Sequence, residues 1–282
     1  MLLFESKLLR FLERSPQMPL VKSHGFTTID GYHYMAMDLA GPTFDVEMLK
    51  EKCKFSLPAV LKVADQLIER FQQLHEKGFV HRSVKPHNVA LGLPHSKLEG
   101  KILLIDFGRS AKYRDLDTKK HKPYQENTGK TYRGPYFSVN PCQGIAYSRR
   151  DDMIALGYVL IKLLRGRLPW DGKSTSQMLE EKMSTSAAQL CEGLPPEFAL
   201  YMTHCLTLKF SAAPGYKYLR KLFYSRFCVI QGSAKDGSSI VMKAGWSDGP
   251  FDSAVMAPTS PLPTACVGFR KRKATTATTD LP

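Results

Sequence analysis

Two short motifs bring together residue types that can handle phosphate groups and a divalent metal ion. The first is His81-Arg82-Ser83-Val84-Lys85-Pro86-His87-Asn88, and about twenty residues later comes Ile105-Asp106-Phe107-Gly108. The oxygens of Asn88 and Asp106 are ligands of the kind that magnesium prefers, and Lys85 can neutralise a phosphoryl group. The spacing therefore predicts a phosphoryl-transfer site with Asn88 and Asp106 as metal ligands and Lys85 as the cation.

The first motif lacks one group that this chemistry uses. Transfer to a hydroxyl needs a carboxylate that orients and deprotonates the acceptor, and Ser83 stands at that position. A serine hydroxyl does not take up a proton at neutral pH, and the loss of a general base typically costs about 10² to 10⁴ in rate. The neighbours Lys85 and His87 do not replace it, so we expect Ser83 to have a local hydrogen-bonding role.

Hydrophobic spacing predicts both helices and strands around these motifs. Asp30-Gly31 between two short apolar stretches is a strong hairpin signal, and Ser56 can cap the clearest helix. The polar stretch 109–143 is a long loop, and loops of that length in compact domains are usually functional. The predicted elements are a helix over 1–14, strands over Ser23–Ile29, His33–Asp38, Phe79–Val80 and Lys101–Ile105, and helices over Ser56–Lys77, Asp151–Arg165, 174–191, 196–208 and 215–227.

The composition changes after Val229, where Gly, Ser, Pro and Thr dominate. We predict a mostly disordered tail over 229–282. Its basic run Arg270–Lys273 fits either a nuclear localisation or nucleic-acid patch or a solvated basic tail, and the second interpretation is favoured.

Charge and cysteine content narrow the class of protein. The formal net charge of +14 suits acidic partners such as phosphorylated proteins or nucleic acid. The six cysteines are scattered without a CxxC pair, which disfavours a zinc site and is typical of reduced thiols in the cytoplasm or nucleus. The chain carries neither a signal-peptide pattern nor an apolar run of about 18 residues, so no membrane association is expected.

Further motifs extend the match to a known family over about residues 2 to 227. They are Tyr113-Arg114-Asp115, His121-Lys122-Pro123-Tyr124-Gln125-Glu126-Asn127, Ser138-Val139-Asn140, Ser148-Arg149-Arg150-Asp151-Asp152, Leu156-Gly157-Tyr158 and Leu168-Pro169-Trp170. Together with the first two motifs they resemble the casein kinase I family of serine/threonine protein kinases, in which SxN stands where most protein kinases have Ala-Pro-Glu. The resemblance implies an α+β, protein-kinase-like fold with a mainly helical C-lobe.

The resemblance also assigns roles by position. Glu5 corresponds to the helix C acid that pairs with the ATP-binding lysine. Asp152 corresponds to the residue of helix F that anchors the catalytic loop. Met37 corresponds to the gatekeeper and Asp38 to Ala40 to the hinge. The remaining implied positions are Ala90 in the nucleotide site and His81 and Phe107 in the hydrophobic spine.

Two further departures from the family pattern stand beside Ser83. The Gly-rich loop and the strand with the nucleotide lysine would precede Met1, so we expect an incomplete N-lobe, either a real loss or a truncated record. At the substrate end, Tyr132-Arg133 replaces a Gly-Thr pair, and Pro135 replaces an arginine that helps bind phosphorylated substrates. Arg133 can partly stand in for it.

The division expected is a residual N-lobe over 1–40, a C-lobe over 41–228 and the tail. The favoured hypothesis is a casein kinase I-like pseudokinase that binds or regulates other proteins. The alternatives are an active serine/threonine kinase in a truncated record and, more weakly, a basic nucleic-acid-binding module. Any nucleotide bound would be ATP with Mg²⁺, and binding is expected to be weak.

Overall fold

The computed structural model describes residues 1–14, 18–50, 54–129, 132–232 and 267–273. Helices dominate this part of the chain, and short strands form three small antiparallel sheets. The α-helices are α1 Leu2–Leu12, α2 Phe44–Lys50, α3 Leu57–Glu76, α4 Val139–Cys142, α5 Arg149–Arg165, α6 Thr175–Ser184, α7 Ala187–Leu190, α8 Pro196–Thr207 and α9 Tyr216–Ile230. The strands are β1 Ser23–Ile29, β2 Tyr32–Asp38, β3 Phe79–Val80, β4 Val89–Leu91, β5 Ile102–Leu104, β6 Ala111–Lys112 and β7 Val267–Lys273. This mixture confirms the α+β prediction.

The largest sheet begins with the predicted hairpin. Strands β1 and β2 pair antiparallel, and the residues between them, Asp30 and Gly31, have φ angles of 50° and 72°. Two consecutive left-handed residues make the turn whose twist matches that of the flanking strands, which is why Asp-Gly predicted it correctly. The buried Met35 and Met37 of β2 face α1 and the core.

The third strand of this sheet comes from the far end of the chain. Strand β7 pairs antiparallel with the other edge of β2, and Arg270 lies opposite Met35. The prediction of a solvated basic tail at Arg270–Lys273 is therefore wrong, because these residues lie within a paired strand. Val229 and Ile230, also placed in the predicted tail, belong to α9, so that part of the prediction is wrong as well. The remaining predicted tail residues 233–266 and 274–282 lie outside the described residues.

Helices α3 and α5 form the centre of the larger, helical lobe. Ser56 accepts a hydrogen bond from the backbone N–H of Ala59 at the start of α3, as an N-cap does. The Asp151 carboxylate accepts from the Ser148 N–H at the start of α5, and Gly166 ends that helix with a φ of 77°. Both helices bury long apolar faces, so they give a rigid support to the loop that carries the first motif.

The two small sheets lie beside the predicted chemical motifs. Strand β3 pairs with β6, and β4 pairs with β5. The loop between β3 and β4 carries the first motif, and the turn after β5 carries the second. The 3₁₀ turns Pro86–Asn88 and Phe107–Arg109 complete the connections, so both motifs leave paired strands in the same region of the molecule.

Candidate functional site

A single buried carboxylate holds the loop that carries the first motif. Asp152 of α5 accepts hydrogen bonds from the backbone N–H groups of His81 (2.7 Å) and Arg82 (2.9 Å). The Tyr147 hydroxyl donates to the same carboxylate at 2.8 Å, and His75 Nε2 donates at 2.9 Å. Arg82 has a φ of 64°, an unfavourable angle for a side chain with a Cβ, so these bonds hold the loop in a strained backbone conformation. We call this group the Asp152 anchor.

Burial sets the charge state of the Asp152 anchor. Desolvation lowers the pKa of His75 and of His81, although Asp152 opposes the shift in both, so both rings are neutral at pH 7. Burial alone would raise the pKa of Asp152, but the hydrogen bonds that it accepts from His75 and from the Arg82 N–H leave it below the ordinary value. The anchor is thus one carboxylate surrounded by neutral donors.

The position expected for a general base is occupied by a hydroxyl in a closed local network. Ser83 is buried, and Asn88 Nδ2 donates to both its hydroxyl (2.9 Å) and its carbonyl oxygen (2.7 Å). Asn88 is itself buried, so the amide nitrogen of the predicted metal ligand is committed to the Ser83 side of the loop. The hydrogen bonds of Ser83 are therefore local, as predicted.

Two basic residues of the same loop face different surroundings. Lys85 precedes the 3₁₀ turn in an extended conformation, and its carbonyl accepts from the backbone N–H of Asn88 at 2.9 Å. His87 lies 3.3 Å from a carboxylate oxygen of Asp45 in α2. The sequence alone does not indicate that Asp45 lies beside this loop.

The second motif is held by helix α1. Glu5 is almost completely buried, and its Oε1 accepts from the backbone N–H of Phe107 at 3.0 Å. The Phe107 ring packs edge-on against His81 with 5.1 Å between ring centroids. Asp106 has a left-handed backbone, with φ 64° and ψ 62°, so this turn is also strained. The structure brings these residues, predicted separately, into one contiguous group.

Strand β7 places two guanidinium groups on the carboxylates of this group. Arg270 Nη1 lies 2.9 Å from Glu5 Oε1 and 3.1 Å from Asp106 Oδ1. Arg272 Nη2 lies 3.7 Å from the same Asp106 oxygen. We call these four residues the arginine cluster. Desolvation raises the pKa of Glu5, and the Arg270 charge is the main opposing influence.

The arginine cluster is the part of the site that the sequence did not predict. In the sequence, the run Arg270–Lys273 indicates only a basic patch. The one signal that could have found the cluster is the spacing of its arginines, because residues two apart share a face of a strand. Lys271, between Arg270 and Arg272, faces away, and its ammonium lies 4.2 Å from the Tyr32 ring centroid.

The predicted hinge runs beside strand β4. The Gly41 N–H donates to the Leu91 carbonyl at 2.8 Å, and the Leu91 N–H donates to the Pro42 carbonyl at 3.0 Å. Met37 and Ala90 are buried, and Ala40 is partly buried. The Asp38 carboxylate accepts from the N–H of Lys22, just before β1, at 2.9 Å, and bonds with His24 Nε2 of β1 at 2.5 Å. The hinge residues therefore lie together, with the Asp38 side chain engaged elsewhere.

The predicted substrate end contains an aromatic ring between arginines. The guanidinium carbons of Arg82 and Arg109 lie 5.2 Å and 5.6 Å from the Tyr132 ring centroid, and Arg82 also donates to the Tyr132 hydroxyl. Arg133 is exposed and lines a cavity of about 400 Å³ that also contains Lys182. Burial lowers the pKa of Lys182 to about 8, and its ammonium donates to two backbone carbonyls.

At the predicted metal position, the Asp106 carboxylate is already paired with cationic side chains. Asp106 Oδ1 is ion-paired with Arg270 and Arg272, whereas Asn88 bonds to Ser83 through its amide nitrogen and not through the oxygen that would bind a metal. Among the described residues no cluster of three or more His, Cys, Asp or Glu side chains could hold a metal ion. The same arginines fit an anionic ligand instead, because guanidinium groups bind phosphate in a defined geometry.

The family assignment follows from a comparison with protein-family models. The model of the protein kinase domain matches residues 3–213, which span both motifs and helices α1 to α8. Within the part of the chain that the structure describes, no helix is long and apolar enough to cross a membrane. The match covers well over half of the chain and agrees with the α+β architecture, and the chain belongs to the protein kinase domain family.

Proposed function

We propose that this protein kinase domain is casein kinase I-like, does not transfer phosphate at a significant rate, and acts by binding other proteins. The observation that carries the proposal is Ser83, buried at the general-base position and bonded to Asn88. Retained packing around it supports a domain that is folded for binding rather than for turnover.

Three carboxylates of the described site already have partners. Asp152 is completely buried and bonded to the loop backbone, and Glu5 and Asp106 are ion-paired with Arg270. Each of these carboxylates is therefore already bound to a partner within the domain. Loss of the base alone accounts for a decrease of about 10² to 10⁴ in rate.

The SxN motif supports the casein kinase I type. Ser138 Oγ and Asn140 Nδ2 both donate to Asp151 Oδ1, at 2.5 Å and 2.9 Å, and the Ser148 N–H donates to the other carboxylate oxygen. Asp151 is buried next to Asp152 in α5, so the motif fixes the loop before α5 to the helix that carries the Asp152 anchor.

A phosphotransfer assay tests the proposal. The purified chain, with magnesium-ATP and a casein-like substrate, is compared with a Ser83→Asp variant and with a Lys85→Met/Asp106→Asn double variant as the blank. Ser96→Asp adds the same charge at an exposed loop position and serves as the matched control.

We expect the natural chain to match the blank. Activity in Ser83→Asp alone would identify Ser83 as the cause of the silence. If that variant is silent as well, the arginine cluster or a further loss also blocks transfer, and the binding role stands. Transfer by the natural chain well above the blank would overturn the proposal in favour of an active serine/threonine kinase.

A further inference from the structure

Two arginines of strand β7 occupy the place where the protein kinase family uses a lysine and a metal ion. In that family, a lysine on a strand next to helix C pairs with the helix C acid, and an aspartate holds Mg²⁺ against the phosphates. Here Arg270 contacts both Glu5 of α1 and Asp106. Arg272 approaches the same oxygen of Asp106 from the next position on that face.

The charges in the arginine cluster already balance without a metal. Two carboxylates face two guanidinium groups within 4 Å, so a divalent ion at Asp106 Oδ1 would have to displace them or lie against like charge. A phosphate group would instead bind the guanidinium N–H groups that these carboxylates do not use. Arg270 contacts both carboxylates through a single nitrogen, Nη1. Its other N–H groups donate to no acceptor among the described residues.

We propose that Arg270 and Arg272 form the phosphate-binding part of the nucleotide site and take the place of the divalent ion at Asp106. The domain then binds the polyphosphate of a nucleoside triphosphate without a metal. The inference rests on the proposed function in one respect: the domain keeps a ligand site although it does not turn substrate over. Metal-free binding and absent phosphotransfer are separate measurements, so either can fail alone.

Strand β7 provides its own matched control. Lys271 lies between the two arginines in sequence and carries the same charge, but its ammonium packs over Tyr32 and Tyr34 on the opposite face. Lys271→Gln therefore removes one positive charge from the strand without touching Glu5 or Asp106. Any effect of general charge on nucleotide binding appears in this variant as well.

The experiment measures binding of a fluorescent ATP analogue in EDTA and in magnesium, with adenosine as a competitor that lacks phosphates. We expect the natural chain to bind the analogue about equally well in both conditions. Arg270→Gln should weaken binding in EDTA by about tenfold or more, since charge-assisted bonds to phosphate are lost. Arg272→Gln should weaken it by about threefold, because Arg272 is further from Asp106 and more exposed. Lys271→Gln should stay within about twofold, and adenosine affinity should not change in any variant.

A change in metal dependence is the most specific expectation. Once Arg270 is removed, Asp106 is available to a metal, so magnesium should restore part of the ATP affinity in Arg270→Gln but not in the natural chain. Arg270→Lys keeps the charge and should retain most of the binding. Thermal melting of each variant shows whether it is folded, and the loss expected for Arg272→Gln relative to Lys271→Gln carries the test if Arg270→Gln does not fold.

Three results would overturn the inference. The first is that the natural chain binds the analogue only with magnesium. The second is that Arg270→Gln and Lys271→Gln behave alike. The third is that the natural chain binds no ATP analogue in either condition. If ATP binds without metal while phosphotransfer is also detected, the proposed function fails and this inference stands.

Discussion

The Asp152 anchor and the arginine cluster hold the two motifs of one site by different physical means. The anchor is a buried carboxylate surrounded by neutral donors, two of them backbone N–H groups of the loop it positions. The arginine cluster consists of full charges, and the Arg270 and Arg272 side chains are 29% and 41% exposed. The comparison indicates that burial fixes the half of the site around the first motif. The other half, around Asp106, is held by charge and can respond to ligands and salt.

The largest effect is expected from removing the anchor itself. Asp152→Ala leaves the N–H groups of His81 and Arg82, the Tyr147 hydroxyl and His75 without their acceptor. A buried donor without a partner costs about 1 to 3 kcal/mol, so the free energy of unfolding should fall by more than about 3 kcal/mol. Urea unfolding followed by circular dichroism measures this change.

The matched control for that change is Asp117→Ala, at an exposed loop position. It should alter the free energy of unfolding by less than about 0.5 kcal/mol. If Asp152→Ala were as mild as Asp117→Ala, the catalytic loop would be held by something other than the anchor.

Acidification should weaken the anchor next. The pKa values of His75 and His81 are lowered in the folded state, so the unfolded chain takes up protons that the folded chain does not. Their contribution to stability is complete above the ordinary histidine pKa near 6.5 and is lost as the pH falls below it. Each histidine can contribute a slope of up to about 1.4 kcal/mol per pH unit there.

Thermal melting between pH 7.5 and 5.5 checks this expectation. His75→Gln keeps a side-chain N–H for Asp152 but does not titrate, so its melting temperature should depend less steeply on pH. The exposed His95→Gln should retain the full slope. An unchanged slope in His75→Gln would contradict the assignment.

The smallest effect, and the one that separates the two halves, concerns salt. Raising KCl from 0.05 to 0.5 M screens partly exposed charges, so strand β7 should leave β2 more often. Loss of about 1 kcal/mol corresponds to roughly fivefold faster hydrogen exchange at the β2 amides paired with β7. The amides of His81 and Arg82, bound to buried Asp152, should exchange at unchanged rates. Equal acceleration in both halves would show that the comparison does not hold.

Local pattern was sufficient for much of the fold. The Asp30-Gly31 hairpin, the capped helix α3 and helix α5 formed close to their predicted positions, because turn residues, caps and apolar spacing act within a few residues. The predicted helix over 174–191 is interrupted, with α6 ending at Ser184 and α7 beginning at Ala187. Strand β4 was missed since three residues give too little periodicity to detect.

By itself, the sequence determined the two motifs, the absence of a carboxylate at position 83 and the local character of the hydrogen bonds that Ser83 makes. These contacts span only five residues, so spacing encodes them. Only the tertiary structure decided the partner of Glu5, because Arg270 is 265 residues away. Strand pairing uses backbone groups common to every residue, and a guanidinium can pair with any carboxylate, so only the packing of β7 against β2 selected this pair.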